Sequence, residues 1–125
     1  MAKETEKAIY VLDNDESGVV TISESVIAVI AAYAVTDVQG VASMAGGITA
    51  ELLAKVGIAT LSKGIRISIE GEEVVVDAAI SVEYGASIPT VSSAIQEKIK
   101  TSVNNMTGLN VKNVNVHITN VEIEN

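Results

Sequence analysis

Between Gly64 and Ile118 the apolar residues change period twice, and that double change leaves few folds open. Ile65, Ile67 and Ile69 alternate with Arg66, Ser68 and Glu70, the two-residue period of a strand with one dry face. Glu70-Gly71-Glu72-Glu73 follows, and its glycine is free to take the positive φ of a tight turn. Val74, Val76, Ala78, Ile80, Val82 and Tyr84 then alternate with Val75, Asp77, Ala79, Ser81 and Glu83, so the stretch predicts a β-hairpin. Past Gly85 the period lengthens. Val91, Ile95, Ile99, Val103 and Met106 recur at helical spacing, Pro89 suits a first turn and Gly108 a left-handed helix end. A helix over 89–107 with one apolar stripe lies on a sheet and turns its polar back to water. Val114, Val116 and Ile118 return to alternation, with Asn115, His117 and Thr119 between them, and predict a third strand for that sheet. From Val121 and Ile123 the parity reverses, which a strand absorbs by a bulge or twist, so irregularity is expected near Asn120.

Upstream, 18–22 reads as a short strand delivering the chain to Ser23, a good N-cap, with Glu24 at the positive end of the following helix dipole. The helix over 24–36 carries Val26, Ile27, Val29, Ile30 and Tyr33 on too wide an arc for contact with one sheet. The surplus predicts a second cover, from another segment or another copy of the chain. Ala28, Ala31, Ala32 and Ala34 either fill that contact or stand exposed as good helix formers. Between Asp37 and Lys63, five glycines from Gly40 to Gly64 interrupt or close the stretch, and Ile48, Leu52, Leu53 and Val56 suggest a short amphipathic helix. That piece serves either as a lid on the domain's own core or as a docking element.

The expected architecture is α+β: a two-layer sandwich whose small, mostly antiparallel sheet (hairpin plus C-terminal strand) carries its helices on one face. The expected order is β-α-(short helix)-β-β-α-β, and KH-like and ferredoxin-like strand orders both satisfy it. Residues 1–16 read as a flexible acidic N-terminal tail whose apolar patch, 8–12, is able to add a loose edge strand, and 17–123 as a single α+β domain.

Composition narrows the function. With no Phe or Trp and three Tyr, the chain fills its core with Val, Ile and Ala and has little with which to stack on bases or sugars. Its net charge of −8 opposes binding to nucleic-acid backbones and to anionic membranes. Cysteine is absent, no apolar leader begins the sequence, and the longest apolar run, 26–35, is too short to span a bilayer. A cytoplasmic protein without direct membrane insertion is expected.

Chemistry-bearing motifs are few. Residues 13–24 match the spacing of a twelve-residue calcium loop, with Asp13, Asp15, Ser17 and Glu24 as candidate Ca²⁺ ligands and Gly18 at its turn position. Against it stand a poor entering helix, no second loop, and the competing strand reading of 18–22. His117, the sole histidine, cannot build a zinc site or a triad alone and reads as a surface residue. No catalytic group and no cofactor is assigned. The leading reading is a protein that works through contacts, self-associating through Val26, Ile27, Val29, Ile30, Tyr33, Ile48, Leu52 and Leu53; the alternative is the Ca²⁺-binding module.

Over roughly 18–123 the chain resembles the alkaline shock protein family, cell-envelope stress-response proteins of Gram-positive bacteria. The likeness rests on the segments 18–23, 40–44 and 64–65 and on Val82-Glu83-Tyr84-Gly85-Ala86-Ser87-Ile88-Pro89. It continues through 99–109 and Val114-Asn115-Val116-His117-Ile118. The resemblance implies a non-enzymatic, abundant cytoplasmic homo-oligomer that helps cells withstand alkaline or envelope stress. In some members a small anchoring partner holds the protein at the membrane, and others are linked to control of fatty-acid synthesis. The family implies no catalytic residues. Where its members often carry several lysines before the strand at Gly64, this chain has Lys55 and Lys63.

Overall fold

A computed structural model of the chain describes residues 8–15, 18–55 and 57–123. Strands β1 (Ala8–Asp15) and β2 (Gly18–Ser23) form an antiparallel pair that leads into helix α1 (Glu24–Thr36). Strand β3 (Val41–Met44), a 3₁₀ turn at Leu53–Lys55 and the one-turn helix α2 (Ile58–Leu61) fill the glycine-rich segment. Strands β4 (Ile65–Glu70) and β5 (Glu73–Glu83), helix α3 (Ile88–Thr107) and strand β6 (Asn110–Glu122) complete the chain.

β5 is the axis of the main sheet. Along one edge it pairs antiparallel with β4, from Glu70↔Glu73 to Ile65↔Ala78, and then with β3, from Met44↔Ile80 to Val41↔Val82. β3 and β4 thus lie end to end on that edge. Along the other edge β6 runs parallel to β5 for its whole length, from Glu73↔Asn110 to Glu83↔Glu122. A parallel neighbour needs a crossover, and α3 supplies it. The Ser43 hydroxyl donates to Glu122 Oε2 at 3.0 Å, tying β3 to β6 across the end of β5.

The alternation sorts the sheet into a covered and an open face. Val74, Val76, Ala78, Ile80 and Val82 of β5 are fully buried beneath α1 and α3, together with Ile65 and Val114. Arg66, Ser68, Glu70, Asn115 and His117 belong to the open face. The architecture is the expected α+β sandwich, three of its four strand pairings being antiparallel. The parity reversal at the end of β6 is met by a bulge: Ile80 pairs with Ile118 and Ser81 with Asn120, leaving Thr119 as the extra residue, its hydroxyl donating to Ile80 O at 3.0 Å.

Local signals explain the helix ends. Ser87 Oγ accepts from the Thr90 amide, and Gly108 closes α3 at φ 81°, a conformation costly for any residue with a Cβ. Ser23 occupies the N-cap of α1 in extended conformation, but its hydroxyl meets Ser25 Oγ at 3.1 Å rather than a backbone amide.

The edge strand that the apolar patch 8–12 is able to add forms as β1, extended to Asp15; residues 1–7 and 16–17 lie outside the described residues. Three expectations need correction. The amphipathic helix around Ile48, Leu52 and Leu53 does not form. Ile48 instead bridges to Met44, Leu53 opens the 3₁₀ turn, and Val56 lies outside the described residues. The buried stripe of α3 ends at Thr107 and not at Met106, because the four-residue steps from Val91 lead to 107. Thr107 satisfies its hydroxyl internally, donating to Val103 O at 2.6 Å and accepting from the Leu109 amide at 3.0 Å. Tyr84, counted on the dry face of the hairpin, falls beyond the end of β5 and is exposed.

Candidate docking site

The wide apolar arc of α1 divides between core and surface. Ile27 and Ile30 are buried, as are Ala31, Ala32, Ala34 and Val35, because α1 packs on β3 and β4 and also against α3. The second cover is therefore supplied within the chain. Ile48 and Leu53 are buried as well. Those four large side chains of the expected interaction set are packed in the core, and of them Ile30 also lines the groove between the long helices. Val26, Tyr33 and Leu52 remain 47%, 50% and 45% exposed, and Val29 is half-buried at the core's margin.

Tyr33 and Val29 line a groove between the long helices, about 660 Å³ in volume. With Ile30 and Ala34 they form the α1 wall; Lys98, Ser102 and Met106 of α3 form the other, and Ala50 of the intervening loop joins them. Lys98, Ser102 and Met106 repeat every fourth residue, so they form one stripe of α3, distinct from its buried stripe. Met106 is 71% exposed. The ion pair Lys98 Nζ to Asp37 Oδ2, 3.0 Å long, adds a polar element to an otherwise mostly apolar lining. By its apolar character alone Met106 reads as a core residue; counting in fours from Val91, which puts Thr107 in the buried stripe, is the signal that frees it.

The backbone sets two of the four calcium candidates, Asp15 and Glu24, at opposite ends of the β1–β2 hairpin. Asp15 pairs with Gly18 at the turn of the β1–β2 hairpin, whereas Glu24 follows Ser23 at its other end, beside Ala8. Six residues of extended strand separate the two, about 20 Å at strand rise, and a calcium loop must close on a single ion. Ser17 and the side chains of Asp13 and Asp15 lie outside the described residues. Among the described residues no group of three or more His, Asp or Glu side chains converges as a metal site.

His117 stands on the open face, Nε2 3.8 Å from Asp77 Oδ1, and Asn115 donates to the same oxygen at 2.8 Å. Lys112, the extra residue of a second bulge in β6, reaches Glu70 Oε1 at 3.0 Å. That hydrogen bond, reinforced by the charge of Glu70, raises the Lys112 pKa above its ordinary 10.5.

Over residues 12–123 the sequence matches the model of the alkaline shock protein/Gls24 family, described as having a cell envelope-related function. The chain belongs to that family. The match covers β2 through β6, all of the main sheet and both groove-forming helices. Among its relatives, the Bacillus subtilis uncharacterized protein YloU is 36% identical over 114 residues, 86% of this chain and 92% of that protein. YqhY, also uncharacterized and from the same organism, is 30% identical over 121 residues, 95% and 90% of the two chains. A stress response regulator gls24 homolog of Streptococcus pyogenes is 30% identical over 106 residues, 84% of this chain but 59% of that longer protein. No solved structure matches at a significant level. Among the described residues no helix is long and apolar enough to cross a membrane.

Proposed function

We propose that this member of the alkaline shock protein family is a non-enzymatic interaction protein of the cell-envelope stress response, and that copies of it associate through the groove between α1 and α3. The observation that supports this reading is the exposure of Tyr33 and Met106 on the two walls of one mostly apolar depression. Apolar surface gathered in one place marks interaction sites more often than scattered apolar residues do. Membrane placement, in this reading, comes from a separate anchoring protein.

Each large apolar side chain buried on association contributes about 1.5–3 kcal/mol, so two removed from a contact weaken it by tenfold or more. Sedimentation velocity at micromolar protein should show concentration-dependent assembly that strengthens with salt, since a net charge of −8 opposes close approach. The Tyr33→Ser/Met106→Ser double variant should keep its fold, because both residues are exposed, and shift the dissociation constant at least about tenfold. A protein that stays monomeric in low and high salt, or a double variant that assembles like the parent, sinks the proposal.

A further inference from the structure

We infer that the open face of the sheet, on the side opposite the helices, holds a binding site for a phosphate-bearing small molecule or headgroup between Lys63, Arg66 and His117. The three basic side chains come from three places in the sequence: the turn before β4, β4 itself and β6. They line a depression of about 360 Å³. One carboxylate, Asp77, and two small residues, Gly64 and Ala79, share it with them, the last two held together by a hydrogen bond from the Ala79 amide to Gly64 O, 2.8 Å long. The hollow exists because longer side chains surround positions that have almost none.

Charge is distributed unusually here. Arg66 sits directly across from Asp77 in the β4–β5 register, where opposite charges ordinarily pair. Asp77 is engaged from the other side instead, by Asn115 at 2.8 Å and His117 at 3.8 Å. Neither Arg66 nor Lys63 has an ion-pair partner among the described residues, whereas Lys98 and Lys112 do. In a chain of net charge −8, this concavity gathers two cations, Lys63 and Arg66, against one carboxylate, Asp77, which Asn115 and His117 already engage. A guanidinium offers a planar fork to two oxygens and an ammonium a compact charge, a combination that matches the two charges and three terminal oxygens of a phosphomonoester dianion.

The full-length chain titrated at low ionic strength with inorganic phosphate and with glycerol 3-phosphate, followed by amide chemical shifts, tests this. Saturable shifts centred on Gly64, Arg66, Ala79 and His117 are expected. Arg66→Ala should weaken binding at least about tenfold, the usual effect of removing one charged hydrogen-bonding partner. Ala79→Leu, which leaves every charge in place and fills the hollow, should weaken it comparably, while Lys100→Ala on exposed α3 surface should not. Phosphatidylcholine vesicles with and without phosphatidic acid identify the source: Arg66-dependent co-sedimentation supports a lipid headgroup, and binding of the soluble phosphomonoester alone supports a free metabolite. No saturable binding by any of these probes overturns the inference. So does binding that Arg66→Ala leaves unchanged, or that Ala79→Leu leaves unchanged in a folded protein, because the site would then be diffuse charge and not this hollow.

Discussion

Ile99→Ala should destabilise the protein by about 2–5 kcal/mol, the range for deleting the bulk of a fully buried aliphatic side chain. Ile99 has no exposed surface and sits mid-way along the buried stripe of α3, one turn from Ile95 and one from Val103. α3 packs on both α1 and β6, so the void would open at the centre of the sandwich, where neighbours on every side are already constrained. Both the lost transfer free energy and the cavity then count against the folded state. Against the roughly 5–15 kcal/mol that holds a domain together, such a change leaves a marginal protein. Urea unfolding should show a large drop in midpoint with little change in slope. Met106→Ala is the internal comparison: on the exposed stripe of the same helix it should stay within about 0.5 kcal/mol of the parent. Similar losses for the two would mean that α3 does not roof the core as described.

Gly40→Ala is expected to be nearly as damaging, for a different reason. Gly40 has φ 98°, a backbone state that side-chain-bearing residues rarely adopt, and an added Cβ would lie 2.7 Å from Val91 Cγ2. Val91 is buried in the first turns of α3 and cannot swing into solvent. Backbone strain of about 1–3 kcal/mol and overpacking of about 1–3 kcal/mol both apply. The two terms separate in a double-mutant cycle. Val91→Ala removes the clashing methyl groups, so Gly40→Ala should cost less in that background than in the parent, by more than about 0.5 kcal/mol of coupling. Strictly additive losses would show that the close approach of Gly40 to α3 is not what limits that position.

Where side chains alternate under one cover, the sequence is a good guide. Ile65, Val76 and Val114 announce which face of β4, β5 and β6 is dry, and the reversal at Val121 announces the bulge at Thr119. Alternation looks the same in parallel and antiparallel strands, so it leaves the direction of β6 open, and the crossover by α3 decides it. β3 escapes notice because Val41-Ala42-Ser43-Met44 is too short to show a period, while β1 is legible only as an edge-strand possibility over 8–12, its apolar start running into Asp13 and Asp15. The candidate site is half legible. A wide apolar arc on α1 says that a second cover exists, but not whether α3 or another molecule provides it. Ile27 and Ile30 go to the core, Val26 and Tyr33 to the surface, and Met106 joins them from a helix whose periodicity, read loosely, counts it as buried.

Every ladder in the main sheet includes β5: β3, β4 and β6 each hydrogen-bond to it and none pairs with another. Withdrawing β5 would therefore leave no sheet standing. Amide protons in the middle of β5 exchange only when the whole sandwich opens, so their exchange rates report the global unfolding free energy. The β1–β2 ladder shares no strand with that sheet and, as a lone two-stranded ribbon, opens at a lower free energy of its own. The domain is thus one cooperative unit with a separately melting doorway to α1.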